Sequence, residues 1–285
     1  MTVGEKVFKS FIYVDDTPLP RKAPELATNV LDLFSLKGKV AVVTGSARGL
    51  GRAIVEAYAQ AGADVAVWDY KDAPQVAEEL HKKYGVQSRS YGCDVSSSEA
   101  VEATIAQIEQ DFGTIDVFVA NAGVAWETGS ILEEQNQDDK NWHRVMNVDL
   151  NGVYYCAKAV GRIFKSHSSG SLVITGSMSG SIVNVPNFQA PYNAAKAACI
   201  HLGKSLAVEF APFNARVNTV SPGYLDTGLS DFLPDEIRAR WWAISPMGRE
   251  GLPQEVVGAY LYLASNASTY TTGSNMAVDG GFTAP

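Results

Sequence analysis

The stretch Thr44-Gly45-Ser46-Ala47-Arg48-Gly49-Leu50-Gly51 decides how this chain is read. It comes directly after the apolar run Val40-Ala41-Val42-Val43, so a strand leads into it and its last residues open a helix. In that context each glycine has a task. Gly45 permits a tight turn, Gly49 lets backbone approach a pyrophosphate, and Gly51 lets the new helix lie close to the strand it has left. The helix N-terminus adds free N–H groups and the positive end of a dipole, which suits phosphate. A glycine triplet alone is an ordinary turn feature; the strand before it, the helix after it and the βαβ unit around it make this one specific. No G-K-[ST] follows, so Mg-nucleotide hydrolysis is not expected.

The same alternation continues outward. Short apolar or β-branched runs recur at Val65-Ala66-Val67, Val117-Phe118-Val119, Leu172-Val173-Ile174, Val217-Asn218-Thr219-Val220 and Met276-Ala277-Val278. Such runs suit strands covered on both faces. Between them lie helical segments. Ser96-Ser97-Ser98-Glu99 offers a capping box ahead of a stripe of Val101, Ile105, Ile108 and Phe112. Another helix is expected to start near Pro191, with Cys199, Leu202, Leu206 and Phe210 on its apolar face. The expected fold class is therefore α/β: a single-domain, Rossmann-type doubly wound parallel sheet flanked by helices on both faces. Residues 1–35 stand apart, with Pro18, Pro20 and Pro24 and no periodic segment; they read as an N-terminal extension that wraps the core, meets a neighbouring subunit or forms a loose tail. Residues 36–285 form the dinucleotide-binding catalytic domain.

Composition narrows the function. With 285 residues, 46% hydrophobic and 19% charged, the chain has the material for a real core. A net charge of -8 disfavours nucleic acid or an anionic membrane as partner. No apolar stretch is long enough to span a bilayer, and MTVGEKVFKS has no signal core, so a cytoplasmic protein is expected. Cys93, Cys156 and Cys199 read as reduced core residues, and the four histidines have no metal-ligand spacing.

Asp69 ends the second strand, twenty residues after Gly49. A carboxylate there accepts hydrogen bonds from ribose hydroxyls and repels a 2′-phosphate, which favours NAD(H). Arg48 and Lys71 pull the other way and keep NADP(H) possible.

Tyr192 and Lys196 stand at i and i+4, on one face near a helix start. A free phenol, with its pKa near 10, is a poor base at neutral pH; a neighbouring ammonium favours the phenolate. Tyr192 could then give a proton to a carbonyl oxygen, or take one from an alcohol, while hydride moves to or from a nicotinamide. Ser179, thirteen residues earlier and just past a strand, could hold that oxygen.

With these residues in place, the sequence resembles the short-chain dehydrogenase/reductase family over about residues 36–283. The resemblance rests on Thr44–Gly51, Asp94, Asn121-Ala122-Gly123, Ser179, Tyr192-Asn193-Ala194-Ala195-Lys196 and Pro222-Gly223, in the family's order and spacing. It implies a tyrosine acid/base, a serine that positions substrate and a lysine that binds nicotinamide ribose. It also implies that Gly45, Arg48, Gly49, Leu50 and Gly51 carry the pyrophosphate turn, and that Asp94 and Val95 meet adenine. Asn121 and Gly123 would shape the cleft, Pro222 and Gly223 abut the nicotinamide, and Thr227 reach the carboxamide. One departure stands out: where many members carry Asn in N-x-x-G, this chain has Asp149-Leu150-Asn151-Gly152. If the backbone carbonyl acts there, the exchange is harmless. If the side chain acts, Asp149 adds a negative charge near Lys196 and partly offsets its effect on Tyr192. Within the family the chain is similar to the fungal branch of sorbose reductases, mannitol dehydrogenases and stereoselective carbonyl reductases. Much of that branch uses NADPH, against the local charge of Asp69, and the NAD(H) expectation rests on the local charge. The resemblance further implies a homotetramer, with Phe188–Pro212 and the central helix at one interface and the C-terminal strand at another.

The expected substrate pocket gathers Ser179, Val185, Gln189 and Tyr224, with Trp126 near by. Residues 227–246 form a lid in which Phe232, Trp241 and Trp242 close on a small molecule. The expected activity is hydride transfer between a nicotinamide cofactor and a ketone/secondary alcohol pair, a ketose/polyol or a prochiral ketone. The alternatives are a catalytically silent dinucleotide-binding sensor, or an epimerase or dehydratase on a nucleotide sugar.

Overall fold

The computed structural model describes residues 22–228 and 235–284. In chain order the main elements are β1 (Val40–Thr44), α1 (Gly49–Gln60), β2 (Asp64–Asp69), α2 (Pro74–Tyr84), β3 (Ser88–Gly92) and α3 (Ser98–Phe112). Then come β4 (Val117–Ala120), α4 (Lys140–Met146), α5 (Gly152–His167), β5 (Gly170–Thr175) and α6 (Ala190–Phe210). The chain ends with β6 (Ala215–Pro222), α7 (Asp235–Ile244), α8 (Pro253–Ala264) and β7 (Asn275–Val278). All pairings are parallel, in the order β3-β2-β1-β4-β5-β6-β7. The order reverses between β1 and β4. In such sheets that switch point opens a crevice beyond the strand ends, where ligands bind.

The strand pleat divides the core into two layers. Val42, Ala66, Trp68, Phe118, Leu172 and Ile174 face α3, α5 and α6. Ala41, Val43, Val65, Val67, Val119 and Val173 face α1, α2 and α8. This is why the strands read as unbroken apolar runs: neither face meets water. The two edge strands, β3 and β7, are only partly covered. At the β3 edge, Ser88-Arg89-Ser90-Tyr91-Gly92 carries no apolar run.

The helix starts differ in detail from expectation. Ser97 caps α3 with its own side chain, accepting from the Ala100 N–H, and the Ser96 N–H goes to Asp94 Oδ1 instead. The α6 helix starts with Pro191 in its first turn, and Cys199, Leu206 and Phe210 are buried along it as the stripe requires. Residues 1–21 of the expected extension lie outside the described residues. Its remainder holds one 3₁₀ turn, Val30–Phe34, before Leu36 enters the core. Among the described residues no helix is long and apolar enough to cross a membrane.

Candidate active site

The β1–α1 loop adopts the backbone that its glycines suggest. Gly45 and Gly49 have φ of +68° and +57°, a region that costs other residues strain. At Gly51 a Cβ would sit 2.1 Å from the Gly45 carbonyl oxygen, so only glycine lets α1 come this close. No side chain caps α1. Its first-turn N–H groups, on Gly49, Leu50 and Gly51, have no helical acceptors and border a cavity of about 930 Å³. That donor cradle with its positive dipole end fits a pyrophosphate, so the residues present suit a dinucleotide.

The opposite lip of the crevice is knitted by Thr44 and Asn121. Thr44 Oγ accepts from the Asn121 and Ala122 N–H groups at 2.9 and 3.0 Å. Asn121 Nδ2 donates to the Thr44 carbonyl at 2.9 Å, and Asn121 Oδ1 accepts from Thr175 Oγ1 at 3.1 Å. Asn121 therefore ties the ends of β1, β4 and β5 together. Asp94, Val95, Gly123, Pro222, Gly223 and Thr227 all border the same cavity.

Ser179, Tyr192 and Lys196 converge at the other end of that cavity. Ser179 follows β5 on a short 3₁₀ turn and is 5% exposed. Lys196 Nζ lies 5.5 Å from the Tyr192 ring centre and donates to the Thr175 carbonyl at 3.1 Å. Asp149 enters from below. The helix carrying it widens into a π turn at Asn147–Asn151, between α4 and α5, and such turns often mark functional positions. Its carboxylate is fully buried. Oδ1 lies 3.2 Å from Lys196 Nζ, and Oδ2 accepts from the Val124 N–H at 3.0 Å. Asn147 and Asn151 instead hydrogen-bond each other away from Lys196.

This geometry revises the acid–base expectation. Burial pushes the Tyr192 phenol up; Lys196 pulls it down, but Asp149, paired with that ammonium, opposes the pull. The net direction is upward, so in the resting chain Tyr192 is held as a protonated phenol. Burial works against the Lys196 ammonium, yet Asp149 and Tyr192 outweigh it and keep it charged. Burial also raises the Asp149 carboxyl, against the attraction of Lys196.

The substrate side is only partly as expected. Gln189 and Tyr224 border the cavity, as does Trp126, whose Nε1 donates to the Gly129 carbonyl at 2.6 Å. Val185 does not: it is 67% exposed and outside the lining. In the expected lid segment, Trp241 is buried and stacks on Tyr224 with centroids 3.8 Å apart, while Trp242 faces solvent. Phe232 lies outside the described residues. Asn184, absent from the sequence reading, is buried and donates to Tyr224 OH at 3.0 Å. A lone Asn in a loop carries no periodic signal that could have announced it.

Comparison with known proteins now decides the family. A family model described as enoyl-(acyl carrier protein) reductase matches residues 45–283. A sorbose reductase of Candida albicans is 63% identical over 269 residues, covering 94% of this chain and 95% of that protein. The chain belongs to the short-chain dehydrogenase/reductase family. It is an oxidoreductase of that family, and its relatives lend no support to a silent sensor. A probable NADP-dependent mannitol dehydrogenase of Yarrowia lipolytica is 55% identical, covering 94% of this chain and 96% of that protein. The crystal structure of an NADPH-dependent 3-quinuclidinone reductase from Rhodotorula rubra superposes with a TM-score of 0.89 at 42% identity, covering 94% of this chain and all of that one.

These relatives overturn the NAD(H) expectation, since both cofactor-named proteins use the phosphorylated form. The structure supplies the physical reason. From sequence, Asp69 reads as an acceptor for ribose. Its Oδ2 instead accepts from the Ala47 N–H at 2.9 Å and its Oδ1 from the Tyr70 N–H at 2.8 Å. One oxygen holds the glycine loop to β2, the other accepts from the next residue's amide, and the two amide dipoles offset the charge. Arg48, exposed at the N-cap of α1, brings a cation to the same rim.

Proposed function

We propose that this oxidoreductase interconverts a ketose and a polyol with NADP(H), using Tyr192 as proton donor and acceptor. The observation that carries the reading is the meeting of Ser179, Tyr192 and Lys196 in one cavity with the uncapped N-terminus of α1. The nicotinamide cofactor, when bound, supplies or accepts the hydride. Gly45, Gly49, Leu50 and Gly51 would hold its pyrophosphate, Asp94 and Val95 its adenine end, and Arg48 its 2′-phosphate. Asn121, Gly123, Pro222, Gly223 and Thr227 would shape the nicotinamide end, with Lys196 on the ribose.

In the reducing direction Tyr192, held protonated, gives its proton to the carbonyl oxygen, and Ser179 donates a hydrogen bond to the same oxygen. In the oxidising direction Tyr192 must first lose its proton, which its raised pKa confines to alkaline pH. Lys196 limits that cost by its charge, and Asp149 holds Lys196 in place. Gln189 and Tyr224 present polar groups to a hydroxylated substrate, consistent with relatives named for sorbose and mannitol. We also propose a cytoplasmic homotetramer, a reading supported by the exposed Phe188 and Val208 at α6 and Tyr154 on α5.

Steady-state kinetics test this directly: sorbose, fructose, xylulose and an aryl ketone, each with NADPH and with NADH. The reading expects ketose turnover with a clear NADPH preference. Preference for NADH, or turnover confined to the aryl ketone, refutes it.

A further inference from the structure

Gln189 sits at the N-cap of α6 but makes no side-chain cap. Its side chain turns to the cavity instead, where Nε2 lies 3.0 Å from Asn184 Oδ1, 3.0 Å from Asn193 Oδ1 and 3.2 Å from Ser179 Oγ. Gln189 thus presents its NH₂ end, with two hydrogens for three acceptors, to this cluster. Asn184 turns its other end to Tyr224, its Nδ2 donating to the hydroxyl at 3.0 Å. In this arrangement the donors run from Asn184 to Tyr224 and from Gln189 to Ser179. Ser179 Oγ accepts from Gln189, and among the described residues its own hydrogen finds no acceptor. Ser179 is 5% exposed and borders the cavity.

We propose that Gln189 is a positioning residue that fixes the Ser179 hydroxyl as a hydrogen-bond donor toward the substrate's reacting oxygen. The proposal rests on the roles given above to Ser179 and Tyr192. Chemistry requires that polarity in both directions. During reduction the carbonyl oxygen accepts from Tyr192 and from Ser179. During oxidation the alcohol gives its proton to Tyr192, and its oxygen again accepts from Ser179. A serine free to turn its hydrogen away would spend part of its time useless to either step. A partner that only accepted would capture that hydrogen outright.

The test compares Gln189→Glu, Gln189→Leu and Ser179→Ala with the unaltered chain, using NADPH and a ketose across the pH range. A carboxylate at 189 accepts only, so Gln189→Glu is expected to lower kcat about 100-fold at neutral pH, as for a lost oxyanion donor. As the new carboxyl gains a proton, toward roughly pH 5, it can donate again and kcat should recover relative to the unaltered chain. Tyr192, Lys196 and Tyr224 face the same cluster in every variant, so that recovery belongs to position 189. Gln189→Leu neither donates nor captures; it should lose only about tenfold, with no acid recovery. NADPH affinity should stay within about twofold for both variants, which shows that they fold. The proposal is overturned if Gln189→Glu stays within about twofold at neutral pH, or if both variants lose equally at every pH, as a merely structural residue would. If Ser179→Ala keeps nearly full turnover, the serine's assigned role fails first and takes the proposal with it; that result is distinct from any obtained at position 189.

Discussion

Asp149→Asn removes one charge from a buried ion pair and leaves the shape almost intact. The site demands such an isostere, since Asp149 Oδ1 lies only 2.7 Å from where a Cβ on Gly123 would stand. The amide can still accept from the Val124 N–H, but Lys196, 3% exposed, is left with the Thr175 carbonyl and no anion. Removing one partner of a buried pair typically costs about 3–5 kcal/mol. For a chain of this size that corresponds to a melting temperature lower by roughly 10 °C. The second effect reaches Tyr192. Asp149 Oδ1 lies 3.2 Å from an ammonium that is itself 5.5 Å from the ring centre. At a distance on the order of 9 Å and an effective dielectric near 20, one unit charge is worth about 2 kcal/mol, a little over one pKa unit. The sign follows from the phenol's charged form being an anion: removing a neighbouring anion favours it. Alcohol oxidation, which needs the phenolate, should therefore extend about one unit lower in pH. Ketose reduction, which needs the phenol, should begin to fall about one unit earlier on the alkaline side. The assay is kcat/KM against pH in both directions, with a thermal melt of each protein. Limbs that stay in place, or that move to higher pH, would refute the electrostatic role of Asp149.

Two further outcomes follow from the cofactor cradle. Arg48→Leu should raise KM for NADPH about tenfold and leave NADH unchanged, because an exposed charge-assisted hydrogen bond contributes at most about 1.5 kcal/mol. Equal effects on the two cofactors would remove Arg48 from the 2′-phosphate. Gly51→Ala would place a Cβ 2.1 Å from the Gly45 carbonyl oxygen and 2.6 Å from Asn121 Nδ2. Such overpacking costs about 1–3 kcal/mol or more, so both the melting temperature and NADPH binding should drop, and a melt equal to that of the unaltered chain contradicts the close approach.

Much of this molecule could be read before its structure, for reasons that differ by element. The buried strands announce themselves because both faces meet helices, which forces continuous apolar runs such as Val40–Val43 and Leu172–Ile174. The glycine loop is legible because Gly45, Gly49 and Gly51 meet steric demands that no other residue satisfies. Tyr192 and Lys196 are legible because four residues return a helix to the same face. The polar strand Ser88–Gly92 is hidden by its place at the sheet edge, where burial imposes no pattern. Asp69 misled because its charge is visible in sequence and its two backbone donors are not; one is the amide of the next residue and the other arrives from the glycine loop folded back against β2. The Asp149–Lys196 contact and the Gln189–Asn184–Tyr224 chain depend on a π turn and on loop conformations, and neither leaves a period to detect.

Tyr192→Phe tests proton transfer most directly. The phenol's proton is lost while the ring and the cradle around it stay. Followed by NADPH absorbance with a ketose at neutral pH, turnover should fall by about 10³-fold, within the range of general acid–base catalysis, while NADPH binds as before. A variant that retains turnover within about tenfold of the unaltered protein would contradict proton transfer by Tyr192 and, with it, the proposed mechanism.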